Sequence, residues 1–336
     1  MGKTGARRLS LAFCFESSGI KVRPNIIWEE LLETYKHNGY SVCRLGAGDG
    51  TASAEIVPEL GAVVASLKLP WQGALREVLY QQPFFWDREV ERTRGGLPLL
   101  FPVCGRMERD GVVGAYLYDG QMNQMRIHGF GMRIPWVVEA KTQDTLKVTL
   151  RDTEATRSEY PFEFRVTLTY KLAAGGLILE QEYENKGAKP MPYFAGFHPY
   201  FLTPPAGEGK ESAILQLTAL SRWKYNEKLT DIVGKTEAPL FPAALGEKAL
   251  HEGLIEVEDG SEAILRLPDG MAIHMTAKGD GVPRMFPFMQ LWSMADRPFF
   301  CVEPWMGHPN SMNSMGRVRW IPPGGIEKAV LKVWTA

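Results

Sequence analysis

The stretch Phe162-Glu-Phe-Arg-Val-Thr-Leu-Thr-Tyr-Lys-Leu172 alternates apolar and polar residues without a break. Successive side chains of an extended chain point to opposite faces, so as a strand this segment has one apolar face and one wetted face. Wound into a helix it would have no apolar side at all. Working outward, similar but shorter runs predict strands at Ala62 to Leu69, Thr145 to Arg151, Gly176 to Glu184, Ala263 to Leu267, Met271 to Thr276, Phe288 to Trp292, Phe299 to Glu303 and Lys328 to Thr335.

The turn chemistry agrees. Asp-Gly occurs at 49-50, 110-111, 119-120, 259-260, 269-270 and 280-281, and this dipeptide supplies the positive φ angles that tight hairpins need. The six turns imply a meandering antiparallel arrangement. With almost no long helical period in the chain, two large sheets packed face to face are favoured over any alternation of strand and helix. The segment Gly46-Ala-Gly-Asp-Gly50 has the look of a nucleotide-binding loop, yet no helical pattern follows it, so it reads as a hairpin turn. Near the start, Ile26-Ile-Trp-Glu-Glu-Leu-Leu-Glu-Thr-Tyr35 has near-helical apolar spacing behind Asn25, which predicts one short amphipathic helix. Residues 1–40 are therefore expected to form a partly helical extension and residues 41–336 a single β domain.

Composition narrows the function. Of 336 residues 45% are hydrophobic, enough for a large core, and 38 Lys and Arg against 39 Asp and Glu give a net charge of -1. No basic surface for nucleic acid or anionic lipid is indicated, and a neutral small molecule is the expected partner. Cys14, Cys43, Cys104 and Cys301 form no Cys-x-x-Cys pair, so neither a zinc knuckle nor a disulfide framework is expected. The run Leu9 to Phe15 after Lys3, Arg7 and Arg8 is short for a signal peptide and lacks a small-residue cleavage site. No apolar stretch approaches the roughly 20 residues of a membrane span. The expectation is a cytoplasmic protein, monomeric or homodimeric, with no membrane contact.

Three residues stand in unusual company. His198 lies inside Tyr193-Phe-Ala-Gly-Phe-His-Pro-Tyr-Phe201, an aromatic tract able to tune an imidazole near neutrality. His128 precedes Gly129-Phe130. Glu303 ends the apolar run Phe299-Phe-Cys-Val-Glu303, where a carboxylate is costly unless paired or hydrogen-bonded. One costly acid and two enclosed histidines favour a shared polar pocket. Arg94-Gly-Gly-Leu-Pro-Leu-Leu-Phe-Pro102 and Gly105-Arg106 add arginines that donate several hydrogen bonds at once. Trp86, Trp136, Trp292 and Trp305 offer flat apolar surfaces, although core packing is the commoner fate of tryptophan.

These pieces together resemble the aldose 1-epimerases, in particular the bacterial and hexose-phosphate-type branch. Arg94-Gly-Gly-Leu-Pro-Leu-Leu-Phe-Pro102, His128-Gly-Phe130 with Pro135-Trp136, Gly196-Phe-His-Pro-Tyr-Phe201, Cys301-Val-Glu-Pro-Trp-Met-Gly307 and Pro323-Gly324 recur in that family's order over about residues 43 to 336. The resemblance implies a galactose-mutarotase-like β-supersandwich. It implies Glu303 as general base, His198 as general acid and His128 as a second histidine holding the sugar near its ring oxygen. Arg94, Arg106, Arg133, Trp136 and Trp305 are the expected substrate contacts. One departure is Met132 in His128-Gly-Phe-Gly-Met-Arg133, where relatives commonly carry an arginine that grips the phosphate of hexose 6-phosphates. A phosphosugar would then need Arg133, Arg94 or Arg106 in its place.

Such a set suffices for anomer exchange. Opening a cyclic hemiacetal needs one proton taken from the anomeric hydroxyl and one given to the ring oxygen, without a redox change, a nucleophile or a metal. A positioned acid and base each contribute roughly 10²- to 10⁴-fold, so no cofactor or metal is expected. Two other readings stand beside this one. A carbohydrate-binding or regulatory protein could keep the pocket without turnover. A metal-dependent lyase or isomerase could use His128, His198, Glu303 and His308, although no two histidines have the spacing of a recognised metal motif.

Overall fold

The computed structural model describes residues 34–90, 94–173 and 175–336. The alternating run forms a strand, Phe164–Ala173, with Phe164, Val166, Leu168, Tyr170 and Leu172 buried and Arg165, Thr169 and Lys171 on the wetter side. Thr167 breaks the alternation by being buried, and its hydroxyl is satisfied there by that of Thr149 on the neighbouring strand at 3.3 Å. Its neighbours are Thr145–Arg151 and Gly176–Asn185, both antiparallel.

These strands belong to a nine-stranded sheet that continues through the C-terminal strand Ile326–Thr335 to Ala272–Gly279 and Ala263–Arg266. An eight-stranded sheet runs Ile232–Thr236, Ala219–Tyr225, Gly253–Val257, Phe288–Trp292, Phe299–Trp305, Gly196–Phe197 and Leu99–Leu100, with Tyr200–Leu202 also paired to Phe299–Trp305. A five-stranded sheet covers Thr34 to Glu77. One contiguous core, from Cys43 to Val333, takes side chains from all three. Its centre is aromatic, with Phe101 packed against Phe130, Phe164 and Tyr183. Among the described residues helix is limited to short pieces such as Glu154–Glu159, opened by a Thr153 capping box, so the architecture is all-β, as the alternating pattern predicts, with the galactose-mutarotase-like form that the family resemblance implies.

Two expectations are corrected. The helix expected over 26 to 35 cannot include its last two residues, because Thr34–His37 is a strand paired with Tyr40–Cys43. Asn38 and Gly39, both at positive φ, form the two-residue turn between them, a hairpin geometry that overrides local helical spacing. The rest of that helix, and the apolar run at Leu9, lie outside the described residues. The second correction concerns Asp259-Gly260 and Asp280-Gly281, which join strands of different sheets rather than hairpin partners. Asp-Gly specifies the local φ values, whereas the hydrophobic face decides which sheet the next strand joins.

Candidate active site

The strand Phe299–Trp305 is buried along its whole length, one face against the core and the other flooring a cleft of about 270 Å³. Glu303 points into this cleft and is 1% exposed. On one side, Phe288–Trp292 sets Gln290 directly opposite Glu303. On the other, Gly196 pairs with Trp305, and a Cβ at 196 would lie 2.8 Å from both the Pro304 carbonyl oxygen and the Trp305 ring. Glycine at 196 thus lets the two chains close up, which delivers His198 beside the carboxylate.

His198 Nε2 lies 3.2 Å from Glu303 Oε1. The imidazole is held flat on Tyr200, with ring centroids 4.4 Å apart and planes 10° from parallel, and edge-on to Trp292 at 5.8 Å. The other carboxylate oxygen, Oε2, accepts from the indole Nε1–H of Trp305 at 3.1 Å. Both oxygens are therefore oriented by ring nitrogens, and an acid and a base stand in hydrogen-bond contact in a dry wall of the cleft.

His128 enters from the opposite wall. Its backbone is left-handed, φ 64°, and the following Gly129 forms a parallel bridge with Phe101. Its ring centroid is 5.5 Å from that of His198 and 5.9 Å from Trp305. Arg94 and Arg106 line the cleft, the Arg94 guanidinium 5.8 Å from the Trp292 ring centroid.

Two of the expected substrate contacts fall elsewhere. Trp136 is buried, and its indole N–H donates to the Gly131 carbonyl at 2.9 Å. Arg133 donates to the carbonyl of Gly129. Neither lines the cleft; both brace the turn that carries His128, because position along a loop does not reveal which way each side chain faces. Met132 likewise packs against the core. Sequence reasoning also missed residues that do line the cleft, Tyr225, Gln290 and Glu252. Tyr225 donates its hydroxyl to Gln290 Oε1; burial, with the charge of Glu303 added, holds that hydroxyl well above its ordinary pKa, so it stays a donor. Gln290 carried a readable signal, a polar residue in the apolar run Phe288-Met-Gln-Leu-Trp292. Tyr225 carried none.

Among the described residues, the potential metal ligands whose donor atoms converge are His198, Cys301 and Glu303, within 4.8 Å of one another. Burial, with the Glu303 charge added, holds the Cys301 thiol well above its ordinary pKa, and a protonated thiol is a poor ligand. His308 is not part of this group. It stacks on Trp223 and donates from Nδ1 to the Pro309 carbonyl at 2.8 Å.

With this geometry established, comparison with known proteins decides the family. The sequence profile described as aldose 1-epimerase matches residues 44–313. The chain belongs to the aldose 1-epimerase family. Among its relatives, the chromosomal LacX protein of Lactococcus lactis subsp. lactis is 24% identical over 247 residues, covering 68% of this chain and 79% of that one. The crystal structure of the Slr1438 protein of Synechocystis sp. PCC 6803 aligns over 90% of this chain and 98% of its own, with a TM-score of 0.74 and 25% identity. That of a galactose mutarotase related enzyme from Lactobacillus acidophilus aligns over 88% and 97%, with a TM-score of 0.73 and 22% identity. The aldose 1-epimerase match thus spans both the carboxylate strand and the turn bearing His128. Among the described residues no helix is long and apolar enough to cross a membrane.

Proposed function

We propose that the protein interconverts the α and β anomers of an aldose by general acid-base ring opening, residues 41–336 acting as one catalytic domain. Glu303 takes the proton of the anomeric hydroxyl as the C1–O5 bond breaks, and His198 delivers a proton from Nε2 to the ring oxygen. Rotation about C1–C2 presents the other face of the aldehyde, and the reverse transfers close the ring on it. The acid and the base already stand in hydrogen-bond contact in the cleft, so a sugar needs only to bring its C1–O5 edge against two oriented groups.

The single observation that carries this reading is the 3.2 Å approach of His198 Nε2 to a buried Glu303 whose other oxygen is held by Trp305. A structural ion pair would not need to face a sugar-sized cleft lined by two arginines and two tryptophans. The test is anomer exchange followed by NMR or polarimetry with glucose, galactose and glucose 6-phosphate, in the presence of excess chelator. Catalytic amounts of protein should speed equilibration of at least one of the three. Saturable binding of a sugar without any acceleration would replace this reading with a carbohydrate-binding role. A preference for the phosphate would assign Arg94 or Arg106 to the phosphoryl group, the position of Met132 being taken up by the core.

A further inference from the structure

The two cavity histidines are held by different kinds of partner. His198 faces a carboxylate. His128 Nδ1 faces the backbone N–H of Gly105 at 3.0 Å, and the backbone N–H of His128 donates in return to the Gly105 carbonyl at 3.0 Å. The two bonds close a ring between the segments 101–107 and 126–131. A peptide N–H can only donate, so Nδ1 must present its lone pair, and the proton of a neutral imidazole is then on Nε2.

We infer that His128 works as a permanently neutral hydrogen-bond donor, its proton fixed on Nε2 by the Gly105 amide, so that of the two cavity histidines His198 alone exchanges a proton during turnover. The kinetic half of this inference rests on the epimerase reading above; the tautomer does not. Protonating Nδ1 would set two N–H groups head to head and break the clamp. It would also place a second imidazolium 5.5 Å from the His198 ring. Among the described residues, the charged and titratable groups that share the cleft with His128 are His198, Glu303, Arg94, Arg106, Tyr225 and Glu252. Arg126 and Arg133 are on its own turn. The arginines add to the bias against a charged ring, and the acids would oppose it. At Nδ1 the Gly105 amide is the donor, and that contact decides the tautomer. A neutral donor suits the site: it can hold a sugar oxygen in both anomers without competing with His198 for the transferred proton.

The test uses the full chain labelled with ¹⁵N histidine, the resonance of His128 being identified by its loss in His128→Gln. Between about pH 5.5 and 8.5, a range that brackets ordinary imidazole titration, the His128 signals should stay pyridine-type at Nδ1 and pyrrole-type at Nε2. Titration of both nitrogens in that range, or a proton on Nδ1, overturns the inference. A kinetic arm checks the donor. Glutamine places its amide nitrogen near the Nε2 position and asparagine near Nδ1, so His128→Gln should keep roughly tenfold more kcat/KM than His128→Asn, the worth of one hydrogen bond. Asparagine tolerates the left-handed backbone better, so strain cannot produce that order. Equal rates, or the reverse order, refute the donor role. Absence of any anomerase activity in the wild type refutes the epimerase reading instead and leaves the NMR result decisive for the tautomer.

Discussion

Replacing Gly129 with alanine should cost both stability and activity, and both losses follow from one contact. Gly129 has φ +65°, and a Cβ there would lie 2.2 Å from the Phe101 carbonyl oxygen, 2.6 Å from its carbon and 2.7 Å from Pro102 Cδ. That carbonyl also accepts from the N–H groups of Phe130 and Gly131, each at 2.9 Å, so the two segments are tied where the methyl must go. Relief of the overlap requires them to part by roughly 1 Å in a close-packed interior. The left-handed backbone costs about 1 kcal/mol with a side chain, and overpacking about 1–3 kcal/mol, together about 2–4 kcal/mol. Because His128 is the adjacent residue, a shift of that size should lower kcat/KM by up to about 100-fold. Gly50→Ala is the control. Its φ is +72° with no atom within 4 Å of the added methyl, so it should lose only about 1 kcal/mol and keep its turnover. Denaturant unfolding and NMR anomer exchange measure both effects. If Gly129→Ala is no less stable than Gly50→Ala and equally active, the Phe101 carbonyl does not confine this turn.

Two further outcomes are expected. Trp305→Phe removes the indole donor to Glu303 while keeping an aromatic ring, and loss of a hydrogen bond to a charged group, about 1.5–3 kcal/mol, should reduce kcat/KM by roughly 10- to 100-fold; an unchanged rate would show that Oε2 needs no such partner. His308 is held below its ordinary pKa, chiefly by burial, so below about pH 6.5, its ordinary value, the unfolded chain takes up the proton more readily. Its contribution to stability is present above that pH and is lost as the pH falls through the folded value. His308→Gln should flatten the fall in unfolding free energy on the acid side of that point, and an unaltered profile would assign the fall to other groups.

The fold was legible because it rests on alternation. The run from Phe162 to Leu172 can satisfy its apolar side chains only as a strand, and the other strands repeat that logic. Glu303 was legible because a carboxylate in an apolar strand must have a partner, and Gln290, with the same signal, could have been found by the same argument. What was not legible depends on facing. Trp136 and Arg133 sit close to His128 in sequence, yet they support the turn from behind, and Tyr225 reaches the cleft from a strand whose pattern is ordinary. At the N-terminus, apolar spacing suggested a helix through Tyr35, and the Asn38-Gly39 turn outweighed it by offering Thr34–His37 a strand partner. The pairing of Gly105 with the His128 ring has no sequence signature, since it joins a backbone amide to a side chain 23 positions away.

The central claim is that Glu303 and His198 move protons, and Glu303→Gln tests it with almost no change of shape. Glutamine keeps an acceptor for the Trp305 indole but cannot take the anomeric proton. With the aldose that the wild type equilibrates fastest, the variant should lose roughly 10²- to 10⁴-fold in exchange rate while binding that sugar within a few-fold of wild type, both read by NMR on the same sample. Near-normal exchange in Glu303→Gln would contradict the account.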